Sequence, residues 1–152
     1  MRRRLFCIVY LLACLPSGAA TGRILKVLPE YLDLKGHNSL SASLYERDAY
    51  QVYLREHPDK RSALRFYTEW KIKGPATEPL TMRVELRGTA TGNLPKQMIL
   101  DTPVEPKHGW FSHWALLTLG GEDYKRFGAV TAWRVTFWEG KRLLSEQQSF
   151  LW

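Results

Sequence analysis

SALRFYTEWKIKGPATEPLTMRVELR, residues 62–87, holds two stretches of strict alternation separated by a break. In the first, Leu64, Phe66, Thr68, Trp70 and Ile72 alternate with Arg65, Tyr67, Glu69, Lys71 and Lys73. In the second, Leu80, Met82, Val84 and Leu86 alternate with Thr81, Arg83, Glu85 and Arg87. Successive side chains of an extended chain leave opposite faces of a sheet, so a period of two marks strands with one buried and one solvated face. Gly74, Pro75 and Pro79 supply the turn between them.

Beyond this pair, further strands are expected at about 96–104, 109–119, 129–138 and 141–151, with breaks over 88–95, 105–109 and 120–128. Glu139-Gly140 reads as a tight hairpin joining the last pair, and Trp133, Val135 and Phe137 form an apolar face opposite Ala132, Arg134 and Thr136. Towards the N-terminus one strand is expected over Ile24–Leu34, and Pro29 within it places that strand at a sheet edge or a bulge. Ser43-Leu44-Tyr45-Glu46 has the form of a capping box. Tyr45, Ala49, Val52, Tyr53 and Glu56 share one helical face after it, and His57-Pro58 ends the element. This helix is expected to cap an open end of the fold, with a groove lined by Tyr45, Tyr50 and Tyr53 as the alternative.

About seven strands with one short helix in the N-terminal half predict an all-β fold, an immunoglobulin-like antiparallel sandwich. The pattern resembles the immunoglobulin-like and fibronectin-like β-sandwich modules of bacterial exported proteins. It lacks the paired cysteines of antibody-type domains, and the resemblance implies a fold without an activity.

Residues 1–20 differ in character from the rest of the chain. Arg2, Arg3 and Arg4 precede an apolar run from Leu5 to Leu15, then Pro16, Ser17, Gly18, Ala19 and Ala20. This is the layout of a secretory signal peptide, and its apolar run is well short of the roughly twenty residues that a spanning helix needs. Two processing routes fit. Gly18 and Ala20 suit ordinary cleavage, leaving a single domain over residues 21–152. Alternatively, Leu11-Leu12-Ala13-Cys14 resembles a bacterial lipobox, which implies lipidation of Cys14 and a short tether. The expected location is therefore outside the cytoplasm: periplasmic, extracellular or lipid-anchored to the envelope.

Removing the three leader arginines leaves 19 basic against 15 acidic residues, a net charge of +4. So mild an excess is a poor basis for nucleic-acid binding, and none is expected. Membrane contact is expected only through a lipid on Cys14. Both cysteines, Cys7 and Cys14, lie in the leader, so the body has no disulfide, thiolate metal site or cysteine nucleophile.

No nucleophile-elbow pentapeptide and no phosphate-cradling glycine loop occurs. His108 and His113 flank an expected strand start, and the histidine spacing supplies no converging ligand set. No enzyme activity, cofactor or metal is expected; an unrecognised enzyme would need a concave pocket holding two acids, or an acid and a histidine.

The aromatic residues carry the functional hint. Trp70 and Trp133 fall on apolar strand faces and belong to the core. Trp110 and Trp114 share a strand face opposite Ala115, Leu117 and Leu119, with His113 nearby. Trp138 stands at the mouth of the final hairpin, and Phe150-Leu151-Trp152 closes the chain with nothing beyond to cover it. Two uses suit these rings. The first is a non-catalytic binding or assembly module of the cell envelope, recognising a protein partner through a sheet edge and the aromatics Trp138, Phe150 and Trp152. The alternative is a carbohydrate-binding module that stacks a polysaccharide on Trp110 and Trp114, with His113 among the orienting groups.

Overall fold

The computed structural model describes residues 19–90, 93–105 and 111–152. In chain order it contains β1 (Thr21–Asp33), α1 (Leu44–Glu56), a 3-10 turn (Pro58–Lys60), β2 (Arg61–Lys73), β3 (Leu80–Ala90), β4 (Leu94–Val104), β5 (His113–Gly120), α2 (Gly121–Phe127), β6 (Ala129–Glu139) and β7 (Arg142–Gln148). The strands pair antiparallel in two sheets, ordered β1-β2-β5 and β4-β3-β6-β7. The fold is all-β in its core, with seven strands and two helices among the described residues.

The alternation in residues 62–87 sets the two inner faces. Leu64, Phe66 and Trp70 of β2 and Ala115, Leu117 and Leu119 of β5 meet Leu80, Met82, Val84 and Leu86 of β3 and Val135 and Phe137 of β6 in one buried cluster. Aromatic edges lock it: the Trp70 and Phe137 ring centres are 4.9 Å apart, and Phe66 meets Trp133 edge-on at 6.0 Å. Rings at such spacings contribute beyond simple area burial. On one flank β1 leans on β7, where the Ile24 N–H donates to Ser145 Oγ at 3.1 Å. Gly22 is buried there, and a Cβ on it would stand 2.6 Å from Phe137 and 2.8 Å from Leu144.

Pro29 does lie on an edge strand, since β1 is outermost in its sheet. Other expectations need correction. A second helix, α2, occupies part of the expected break, burying Phe127 in the core and pairing Glu122 with Lys125 and Asp123 with Arg126 on its outer side. Seven residues between glycines hold too few turns for a periodic pattern to register. The hairpin loop is Gly140-Lys141, with glycine first at φ +52° and Glu139 paired to Arg142. A Cβ on Gly140 would collide with the Glu78 carboxylate.

Helix α1 has the expected bounds but turns a different face inward. Gln51 and Leu54 are buried and Arg47 and Tyr50 partly so, whereas Tyr45, Ala49, Val52, Tyr53 and Glu56 are exposed. The inward face is chosen by the strand beside it. Gln51 Oε1 accepts the Tyr31 N–H at 2.8 Å, while its Nε2 donates to Tyr31 O at 2.9 Å and to Asn38 O at 2.8 Å. The amide thus stands in for a neighbouring strand at the open edge of β1, meeting backbone groups that burial would otherwise leave unpaired. Ser43 is the N-cap residue, but its hydroxyl makes no capping bond. Its own N–H donates to Ser41 Oγ at 3.1 Å, which displaces the reciprocal role expected of Glu46.

Candidate functional site

A two-sheet sandwich has four edges, and each is an available row of backbone donors and acceptors unless something blunts it. In β1 the blunting devices are Pro29, a bulge between Ile24 and Lys26, and the Gln51 amide. Strand β4 has Pro95 and Pro103 near its ends and Lys96, whose ammonium donates to Arg126 O at 2.6 Å. Strand β7 carries Arg142 and Glu146 and has a register shift against β6.

Strand β5 has none of these devices. HWALLTLG, residues 113–120, contains no proline, aspartate, glutamate, lysine or arginine. It pairs with β2 in unbroken register from His113↔Trp70 to Gly120↔Ala63. Among the described residues its other edge pairs with no strand.

The registers define the outer face of this sheet. Across β1, β2 and β5 its rows are Lys26–Glu69–Trp114, Leu28–Tyr67–Leu116 and Glu30–Arg65–Thr118, with Glu30 buried beneath Asn38 and Arg47. Trp114 is 50% and Leu116 52% exposed, while Ala115, Leu117 and Leu119 are in the core. Arg65 reaches across to β5, its Nε donating to Thr118 Oγ1 at 3.0 Å. The result is an apolar strip at an open edge, flanked by a carboxylate at one end and a guanidinium at the other.

Trp114 therefore lies on the exposed face, as the alternation requires, but the expected two-ring platform is not assembled from described residues. Trp110 and His108 lie outside them. His113 is on the opposite face from Trp114, its ring centre 4.9 Å from that of Trp70, because neighbouring strand residues point in opposite directions. It cannot orient a ligand lying on the Trp114 face.

Between the edges of β4 and β5 lies a cleft of about 580 Å³ whose lining includes Trp70, Glu105, Ser112, His113 and Trp114. It brings an acid and a histidine to one place. The Ser112 hydroxyl donates to the Glu69 carboxylate at 2.5 Å and the His113 ring packs on Trp70, so among the described residues this serine is not paired with the histidine. Among the described residues no three His, Cys, Asp or Glu side chains converge as metal ligands.

The C-terminal aromatics divide. The tail turns back over the outer face of the four-stranded sheet: the Ser149 N–H donates to Trp133 O at 2.9 Å, and the Trp133 N–H donates to Ser149 Oγ at 3.0 Å. Trp152 then lies against two guanidinium groups, Arg87 at 4.0 Å and Arg134 at 4.9 Å. Trp138 is half-buried, with Nε1 donating to Thr136 Oγ1 at 2.7 Å. Trp138 and Trp152 are thus engaged within the fold, and Phe150 alone of the three is fully exposed.

The tyrosines also divide. Tyr50 and Tyr53 stack at 5.9 Å beside a cleft of about 370 Å³ under α1, while Tyr45 points to solvent. The Tyr50 hydroxyl is committed to Asp33 at 2.9 Å. Burial pushes the Asp33 carboxyl up, but the N–H groups of His37 and Lys35 and the Tyr50 hydroxyl together hold it below the ordinary aspartate range. It pins the turn after β1 to α1.

Leu116 and the open edge of β5 were not singled out from sequence. The signal was present in WALLTL, a nearly continuous apolar run in a chain whose other strands alternate; such a run belongs to a strand that needs cover on more than one side. Comparison with protein-family models, with curated proteins and with solved structures returns no match to this chain.

Proposed function

We propose that this protein is an exported, non-catalytic binding module of the cell envelope, and that it recognises a protein partner by strand addition at the open edge of β5. The carrying observation is the contrast among edges: three are blunted, while β5 is uncharged, unbulged and flanked by the exposed side chains of Trp114 and Leu116. Main-chain hydrogen bonds along such an edge supply affinity, and the alternate outward side chains supply specificity. Recognition thus moves from the final hairpin, where Trp138 and Trp152 already have partners, to the opposite sheet.

An immunoglobulin-like arrangement is part of this reading. With the seven strands lettered A, B, C, C′, E, F and G, the sheets are A-B-E and C′-C-F-G, an order that supports membership of that architectural class. Modules of this kind are commonly reused for adhesion and assembly, and their function resides in a grafted surface rather than in the fold.

Photo-cross-linking in the native host tests the reading. With benzoylphenylalanine at position 116, a discrete adduct is expected; with the probe at Ile99, exposed on β4, none is expected. Equal labelling at both positions, or none at 114, 116 and 118, removes the edge reading.

Export also belongs to the proposal, and one observation bears on the route. Ala20 is only 1% exposed, and its carbonyl accepts a hydrogen bond from Arg142 at 2.8 Å. Cleavage after Ala20 would remove that partner, so the fold supports the route that retains Ala20, with Cys14 lipidated as the first residue. An intact mass corresponding to a diacylated chain from Cys14 is expected. A mass corresponding to a start at Thr21 overturns this choice.

A further inference from the structure

Resting on that edge reading, we propose that the occupant of the β5 edge is β5 of a second copy of this chain, paired antiparallel about a two-fold axis at Leu116. The axis brings Leu116 opposite its own counterpart and Trp114 opposite Thr118 of the other copy. Side chains directly opposite in an antiparallel pair share a face, so the two outer faces join into one.

Each row of the joined face is complementary. The central row becomes Leu28–Tyr67–Leu116 continued by Leu116–Tyr67–Leu28, an apolar stripe across six strands. Each outer row runs Lys26–Glu69–Trp114 and continues as Thr118–Arg65–Glu30 of the other copy, so that neither end places like charges side by side. The Arg65 guanidinium, already drawn over β5 by its bond to Thr118 at 3.0 Å, comes one strand spacing from the Trp114 indole of the other copy, close enough for a cation–π contact. The two-fold axis makes this contact twice. Because β5 carries no aspartate, glutamate, lysine or arginine, self-pairing meets no direct like-charge opposition, the usual device that forbids it.

The geometry gives a register-specific test. Facing residues of an antiparallel pair have Cα atoms about 4.5–5.5 Å apart, inside the range a disulfide bridges. Two copies of residue 118 would be separated by four residues along the strand, about 13 Å, well outside it. In the full chain, Leu116→Cys is therefore expected to form a covalent dimer on mild oxidation, while wild type, which controls for Cys7 and Cys14, and Thr118→Cys do not. Mixing Trp114→Cys with Thr118→Cys is expected to restore the cross-link. Independently, sedimentation should show wild type as a dimer and Leu116→Lys as a monomer with a native circular dichroism spectrum and an unfolding transition that no longer depends on protein concentration, and Arg65→Gln should weaken the dimer about tenfold.

Cross-linking of Leu116→Cys no greater than that of Thr118→Cys, in folded protein, overturns self-pairing. If a different protein is then found cross-linked at position 116, the edge reading survives without self-pairing. If none is, both fail.

Discussion

Replacing Gln51 by Leu preserves the volume buried under α1 and removes three hydrogen bonds, two of them to the backbone of Tyr31 on the β1 edge. A net contribution of about 0.5–1.5 kcal/mol each, with partly buried backbone groups left unpaired, gives a loss of about 2–4 kcal/mol. For a domain of this size that is a fall in Tm of roughly 6–15 °C. Thermal unfolding followed by circular dichroism reads the loss, and amide exchange at Tyr31 reads its location, because that N–H loses its acceptor. The same change opens a second edge on the sheet that already exposes β5. A folded Gln51→Leu protein is then expected to form assemblies larger than those of wild type at high concentration, since two unlike open edges permit head-to-tail addition. A Tm within about 2 °C of wild type together with unchanged protection at Tyr31 would refute the role assigned to Gln51.

Other sites give outcomes of their own. The Arg142 guanidinium, and then the Thr77 N–H at 2.7 Å, hold the Glu139 carboxyl below its ordinary value. A carboxyl depressed in the folded state stabilises above its unfolded pKa and loses that contribution as pH falls through the folded one. Calorimetry is therefore expected to show wild-type Tm falling below about pH 4.5 more steeply than that of Glu139→Gln; parallel curves would exclude this linkage. Gly22→Ala, whose Cβ would press on Phe137 and Leu144, should destabilise by about 1–3 kcal/mol in chemical denaturation. No change would mean that the β1–β7 flank is looser than described. In affinity electrophoresis through polysaccharide gels, wild type and Trp114→Ala should migrate alike, because the Trp114 face is assigned to protein recognition at the β5 edge. Retardation of wild type that is lost in Trp114→Ala would restore the sugar-stacking alternative.

The alternating strands were legible because they carry their periodicity locally: residues 64–72 and 80–86 announce their inner faces without reference to anything distant. Pro29 likewise declared an edge, since a missing N–H forbids the centre of a sheet. What escaped was decided by neighbours. The inward face of α1 is set by a strand edge that needs hydrogen bonds, so polar Gln51 was buried in preference to Tyr45 and Val52. Helix α2 is too short for a pattern, and it is the packing of Phe127 and Tyr124 on the core that holds it. At the candidate site, the outward position of Trp114 could be read from alternation, but the importance of Leu116 depends on β5 ending its sheet, and strand order is a property of the whole fold. Trp152 looked uncovered for the same reason: Arg87 and Arg134, which embrace it, lie far away in sequence.

Single-amide hydrogen exchange along β5 tests recognition at this edge most directly. In an edge strand, alternate N–H groups point away from the neighbouring strand, so every second amide of residues 113–120 should exchange freely in dilute protein and become protected when the edge is occupied, with the exposed amides of β4 and β7 unchanged. Protection appearing on β4 or β7 instead, or β5 amides equally protected in the dilute and engaged states, would contradict it.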